Sequence, residues 1–282
     1  MFSITTVLIT FAIKSPLLIF WPFWTQISIK TKKKGAKTLL INARISDKSY
    51  KSYLRFRFFY KKIFENIDKV FAQSEVDRQR LQELGAKNVE VIGNIKLAQL
   101  PKKRALFEKP NITTIVAAST HEGEEELVLN AYNKEFGKLI IVPRHPERFL
   151  YFEELIKNYV KDKNLTFHKF SNKEDFSSDI VLVDVMGILN DIYEISDIAI
   201  LGGAFSKIGG HNPIEPAFFG NVIISGKNIF NQKSLFECIK NYYLIENSEL
   251  KEYLEKANTL LKPELTKEGS FEPIIKEIKK WQ

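Results

Sequence analysis

Residues 69–92 read KVFAQSEVDRQRLQELGAKNVEVI, and the order of residue types in this stretch decides which fold the chain can adopt. Lys69 to Gln73 has the apolar character of a short strand. Ser74, with Asp77 three residues later, makes a capping-box start for a helix, and Gly85 supplies its stop. Val89 to Ile92 is a second strand. Strand, helix and strand within about twenty-five residues form a βαβ unit, whose strands run parallel because a helix-length crossover returns the chain to the same edge.

Upstream, Tyr53, Phe56, Tyr60, Ile63, Phe64 and Ile67 recur every three to four residues, so one amphipathic helix is expected over Tyr50 to Ile67. Its other face carries Lys51, Arg55, Lys61 and Lys62. Two readings of this helix stand: an aromatic stripe facing the core, or rings and cations placed at a membrane interface. From Met1 to Ile29 the only charged side chain is Lys14, and the segment ends in Trp21, Phe23 and Trp24. It lacks the basic start and cleavage site of a signal peptide, and Lys14 with Pro16 interrupts any spanning helix. Two short buried strands and an interfacial segment are equally compatible with it.

Downstream, Leu97 to Pro110 has two prolines and a KKR run without period, the mark of a linker. Strand-like runs then follow at Ile112 to Ala117, Leu139 to Val142, Ile180 to Asp184, Ile198 to Leu201 and Val222 to Ser225. The fold class expected is α/β: a partial Rossmann-like domain over 1–100, then a complete doubly wound domain over 111–282. In such sheets ligands bind outside the carboxyl ends of the strands, so the loops after each strand are the ones to search.

The chain has 282 residues, one cysteine and four histidines, which leaves no internal disulfide and no paired metal-ligand spacing. No metal or cofactor is expected. Residues 1–110 hold 22 Lys and Arg against 8 Asp and Glu, net +14, and the remainder holds 20 against 26, net −6. Twelve basic residues between Lys30 and Lys62 face the single acid Asp47. Such a block attracts a polyanion, and the apolar segment before it favours an anionic membrane over nucleic acid.

Four strand-end loops carry chemistry. After the first strand, Ser119-Thr120-His121-Glu122-Gly123 opens a helix rich in glutamate; Ser119 and His121 are contact candidates and the glutamates are read as helix stabilisers. Arg144, His145 and Arg148, stiffened by Pro143 and Pro146, offer donors to phosphate or carboxylate oxygens. Met186, Gly187 and Ile188 follow Asp184, with Gly187 permitting close backbone approach. The longest run is Gly202-Gly203-Ala204-Phe205-Ser206-Lys207-Ile208-Gly209-Gly210-His211-Asn212-Pro213-Ile214-Glu215, where paired glycines lead into a helix and Glu215 can accept ribose hydroxyls.

The runs NARISDKSY (42–50), AQSEVDRQRLQELGAKNVEVIGNIK (72–96), AASTHEGEE (117–125), PRHPERF (143–149) and GGAFSKIGGHNPIEPAFFG (202–220) resemble the bacterial Kdo transferases. These enzymes move 3-deoxy-D-manno-octulosonic acid (Kdo) from CMP-Kdo to the lipid A precursor. The resemblance covers residue 36 onward and implies a two-domain, metal-independent GT-B glycosyltransferase of lipopolysaccharide biosynthesis, anchored or peripheral at the cytoplasmic side of the inner membrane. Carried over by motif, the CMP contacts are Arg144, His145, Met186, Gly187, Ile188, Asn212, Pro213, Ile214 and Glu215. Ser119, His121, Arg148, Gly202, Gly203, Gly210 and His211 are donor-side candidates. Ile188 stands where the family usually has Glu, which leaves backbone contact there.

The family's general base, a glutamate in a Ser/Gly-Glu loop, and its acidic pair before the Trp-Pro step have no counterpart before Asp47; only Trp21-Pro22 remains. The catalytic base is therefore unassigned. The expected picture is a relative missing about its first third, with residues 1–35 altered, that transfers Kdo slowly or not at all. The alternatives are a CMP-binding fragment without activity and another GT-B enzyme using UDP-sugars.

Overall fold

The computed structural model describes residues 7–10, 30, 32–267 and 269–281. They form two compact units, one from the described parts of Met1–Gln99 and Glu268–Gln282, the other Leu100–Lys267. The first unit has strands β1 (Val7–Thr10), β2 (Thr38–Ala43), β3 (Lys69–Ala72) and β4 (Val89–Val91), all parallel and in that order. Its helices are α1 (Asp47–Arg55), α2 (Arg57–Phe64) and α3 (Glu75–Glu83).

The βαβ unit that opened the argument is present as β3-α3-β4. Ser74 accepts from the Asp77 N–H at 3.1 Å, but Asp77 does not complete the reciprocal box. Its carboxylate instead accepts the buried Ile45 N–H at 2.8 Å, tying α3 to the loop after β2. Because side chains alternate along a strand, Leu40, Val70 and Ala72 pack with Tyr53, Phe64, Leu81 and Leu84, whereas Leu39, Ile41 and Phe71 point the opposite way.

The single helix expected over Tyr50 to Ile67 is two. Phe56 leaves helical dihedrals (φ −106°, ψ 25°) and its N–H bonds back three residues to Tyr53, a tightened turn that ends α1. Tyr53 and Phe64 stay in the core, while Phe58 is 70% exposed among exposed Arg55, Arg57, Lys61 and Lys62. The core-facing reading holds for Tyr53 and Phe64, and the exposed ring and cations make up the other face. Of residues 1–29, only the strand Val7–Thr10 lies within the described residues; the Lys14–Pro16 turn and the tryptophans lie outside them.

The second unit holds seven parallel strands in the order β12-β10-β9-β5-β6-β8-β7. They are β5 (Thr114–Thr120), β6 (Lys138–Pro143), β7 (Phe167–Lys169), β8 (Ile180–Leu182), β9 (Ile198–Leu201), β10 (Val222–Gly226) and β12 (Tyr242–Ile245); β11 (Ile239–Lys240) pairs with β13 (Glu264–Leu265) in a separate antiparallel ribbon. Ile115 and Val116 point to opposite faces and are both fully buried, so β5 is covered on both sides, as parallel sheets require. The helices are α4 (Glu124–Ala131), α5 (Phe149–Val160), α6 (Phe170–Lys173), α7 (Leu189–Ile195), α8 (Ile214–Phe219), α9 (Lys233–Phe236) and α10 (Leu250–Glu255). The fold class is α/β with two Rossmann-like parallel-sheet units in succession, the GT-B-like class.

Two sequence expectations need correction, and one strand lies outside the expected runs. The Leu97–Pro110 linker is divided: buried Leu97 sits in a helical turn, Ile95–Ala98, of the first unit, and Leu100 onward belongs to the second. The chain's end, expected in the second domain, forms α11 (Glu272–Lys279), whose Ile274 packs on Leu39, Ile41 and Phe71 of the first. Short β7, reading FHK, carries no apolar run; its pairing with β8 makes it a strand.

Candidate functional site

From β5 the chain steps to β6, β7 and β8 on one side, then recrosses to β9 on the other side of β5. The direction of winding therefore reverses between β5 and β9, and the crevice outside their carboxyl ends is where an open α/β sheet receives a ligand. The loops meeting there are Ser119–Gly123 and Gly202–Ser206.

Their backbones touch. Ser119 adopts φ +55°, and the β5–β6 register shifts between Ala118 and Thr120, so this residue is a bulge that turns the chain at the strand end. The Gly202 N–H bonds Ala118 at 2.9 Å, and a Cβ on Gly202 would lie 2.5 Å from the Ser119 carbonyl oxygen. Only glycine fits. Glu124, at 2% exposure, locks the two loops together: its carboxylate accepts the N–H groups of His121 (2.9 Å), Gly203 (2.7 Å), Phe205 (3.1 Å) and Ser206 (3.1 Å), and the Ser206 hydroxyl (3.1 Å). Read from sequence as a helix stabiliser, Glu124 is the anchor of the site.

On this frame the histidines converge. His121 Nε2 and His211 Nε2 lie 2.9 Å apart, with stacked rings (centroids 5.1 Å, 10°), and His145 meets His121 edge-on at 5.4 Å. One Nε2 must donate and the other accept, so the pair cannot hold two protons without repulsion. Burial, with His121, Arg144 and His145 nearby, pushes His211 down to about 4; burial also lowers His121, against the pull of Glu124. The pair is uncharged at neutral pH, and positive charge comes from exposed Arg144 and half-buried Arg148. Gly203 (φ +72°) leaves the surface open, since a Cβ there would press within 3.0 Å of the His211 ring.

The remaining candidates have local partners. Asn212 donates to Glu215 at 2.9 Å and accepts the Ile214 N–H at 3.1 Å, fixing the start of α8. Gly210 (φ +78°) donates to the Gly203 carbonyl at 2.8 Å, folding the glycine loop back on itself. Met186 is 61% exposed, and Gly187 adopts φ +90° with open space where a Cβ would point, so it is there for its conformation. Among the described residues no hydrogen bond joins the Met186–Ile188 loop to the histidine cluster. Asp184 accepts from Ser171 (N–H 2.9 Å, hydroxyl 2.6 Å) and is structural.

Glu125 also reads from sequence as a helix stabiliser, and the structure buries it. Its side chain is 1% exposed, both oxygens lack a hydrogen bond, and Arg148 Nη1 stands 3.9 Å away. Burial pushes its carboxyl up to about 7. Among the described residues no group of three or more His, Cys, Asp or Glu could hold a metal ion. A surface hollow of about 310 Å³ beside Thr113, Asp197 and Val222 opens at the amino ends of the strands, away from this cluster. No helix among the described residues is long and apolar enough to cross a membrane.

Comparison with known proteins agrees with the motifs. Residues 3–99 match the family model described as 3-Deoxy-D-manno-octulosonic-acid transferase (kdotransferase). A bifunctional glycosyltransferase/methyltransferase of Fusobacterium nucleatum is 34% identical over 277 residues, 92% of this chain and 42% of that protein. A 3-deoxy-D-manno-octulosonic acid transferase of Rickettsia felis is 34% identical over 258 residues, 86% of this chain and 54% of the relative. Among solved structures, the C-terminal CMP-Kdo binding domain of WaaA from Acinetobacter baumannii is 26% identical, covering 58% of this chain and 88% of that one, with a TM-score of 0.48. The chain spans about half the length of these curated relatives. The match begins at residue 3, so the family likeness reaches well before residue 36 and includes most of the segment expected to be altered. By its motifs, by the family model over residues 3–99 and by these relatives, the chain is similar to the 3-deoxy-D-manno-octulosonic-acid transferases.

Proposed function

We propose that the second unit binds CMP-Kdo at the β5/β9 switch point and that the protein serves in transfer of Kdo to the lipid A precursor at an anionic membrane. The observation that carries this reading is the convergence of Ser119, His121, Arg144, His145, Arg148, Gly203 and His211 where the Ser119–Gly123 loop meets a second loop opened by Gly202 and Gly203. Arg144 and Arg148 suit the phosphate and the Kdo carboxylate, and the uncharged histidine pair adds a hydrogen-bonding wall without repelling them. Glu215 and Asn212 present a carboxylate and an amide to ribose hydroxyls. An acceptor hydroxyl would attack the anomeric carbon as its bond to the CMP phosphate breaks; Arg144 offsets charge on the departing phosphate.

The test is calorimetry with CMP and UMP on the full chain, beside a transfer assay with CMP-Kdo and lipid A precursor scored by mass spectrometry. CMP should bind more tightly than UMP, and Arg144→Ala should weaken CMP about ten- to a hundred-fold, as loss of a charged hydrogen bond predicts. Equal CMP affinity in both proteins removes the donor-site assignment. CMP binding without Kdo-bearing product removes the transfer half of the reading and leaves the donor half standing.

A further inference from the structure

Residues 100–110 form no regular element, yet they are fastened to the second unit along their length. Arg104 faces Asp191 of α7 with both prongs: Nε donates to Oδ1 at 2.7 Å and Nη2 donates to Oδ2. The Asp191 side chain is 1% exposed, so this is a buried carboxylate meeting its cation from outside. The N–H groups of Arg104 and Ala105 both donate to Glu194 Oε2, at 3.0 and 3.1 Å, across a left-handed turn at Ala105 (φ +50°). Nη2 also reaches the Gly187 carbonyl oxygen at 3.5 Å.

A second grip lies three residues on. Phe107 packs edge-on against Phe170 and Phe176, with centroids 5.6 and 5.2 Å away. Phe170 begins α6, and the next residue, Ser171, holds Asp184. The strap therefore holds both ends of the 184–188 loop: Asp184 through Phe107, Phe170 and Ser171, and Gly187 with α7 through Arg104. Between the grips the loop has no charged side chain after Asp184, an exposed methionine and a left-handed glycine. An uncharged, open backbone of this kind suits the flat nucleobase, and the phosphate belongs with the arginines across the site.

We infer that Arg104 is a positioning residue that sets the conformation of the Met186–Ile188 loop, and through it the affinity and selectivity for the base of the bound nucleotide. This rests on the reading that the loop contacts CMP. Removing Arg104 leaves Asp191 as an unpaired buried charge, so the double variant Arg104→Ala/Asp191→Asn, which deletes both partners, keeps the test independent of folding.

The experiment measures CMP and UMP affinity by calorimetry, and amide hydrogen exchange, on the full chain for wild type, Arg104→Ala, Arg104→Lys and the double variant. Arg104→Ala and the double variant should weaken CMP about ten-fold and narrow the CMP/UMP ratio, with faster exchange confined to 184–191. Lysine, which cannot make the paired contact, should restore the affinity only in part. Unchanged CMP affinity and ratio in folded Arg104→Ala or in the folded double variant overturns the inference. If wild type itself binds no CMP, the functional reading fails separately, and unchanged exchange at 184–191 in the variants then overturns the strap.

Discussion

At the scale of single residues, Glu125 and His211 show burial setting charge in opposite senses. The folded pKa of Glu125 is raised from 4.5 to about 7 by burial, so between those values the folded protein keeps a proton that the unfolded chain has released. Stability must fall as pH rises through that window, and the loss is complete above about 7. His211, lowered to about 4, acts the other way: between 4 and 6.5 the unfolded chain takes up the proton and stability falls as pH drops. Glu125→Gln leaves His211 in place, so the difference between the two proteins isolates the carboxyl. Relative to wild type, the variant should gain on the order of 1–3 kcal/mol from pH 5 to pH 8.5, read by urea denaturation at each pH. A constant difference would mean that Glu125 does not titrate there.

Elements meet at the site through one side chain. The loop after β9 has no secondary structure of its own, and its N–H groups at Gly203, Phe205 and Ser206 are buried or half-buried with Glu124 as their acceptor. Glu124→Ala would leave these donors unpaired, at about 1–3 kcal/mol for each group that water cannot reach. Fast amide exchange at 203–206 and weakened CMP binding should appear together, while β5 and β9 stay protected. Loss of stability with CMP affinity intact would show that the loop's order is irrelevant to the ligand. The strap is a further example of irregular chain held firmly: residues 100–110 lack a period because their positions are set by Asp191, Glu194 and Asp197, not by a helix or strand.

For the whole molecule, charge is the organising quantity. The net +14 of residues 1–110 is displayed by exposed Lys32, Lys33, Lys34, Lys37, Lys51, Arg55, Arg57, Lys61 and Lys62, with exposed Phe58 among them. Each cation near an anionic surface contributes about 1 kcal/mol and is screened within a Debye length. The full chain should therefore bind vesicles containing anionic lipid, release as salt rises, and ignore neutral vesicles; equal partitioning onto both removes the electrostatic part of that expectation. The sequence by itself determined the parallel α/β class, the strand-end loops that carry arginine, histidine and glycine, and the likeness to the Kdo transferases, because apolar period, capping residues and motif order are local properties of a chain. It did not determine the break at Phe56, the return of α11 to the first sheet, or the capture of Glu124 by a loop about eighty residues away. Nor did it pair His121 with His211. The capture of Glu124 and the histidine pair depend on which strand ends are neighbours, and the order β9-β5-β6 brings the two loops within hydrogen-bonding reach and buries the groups whose charge then shifts.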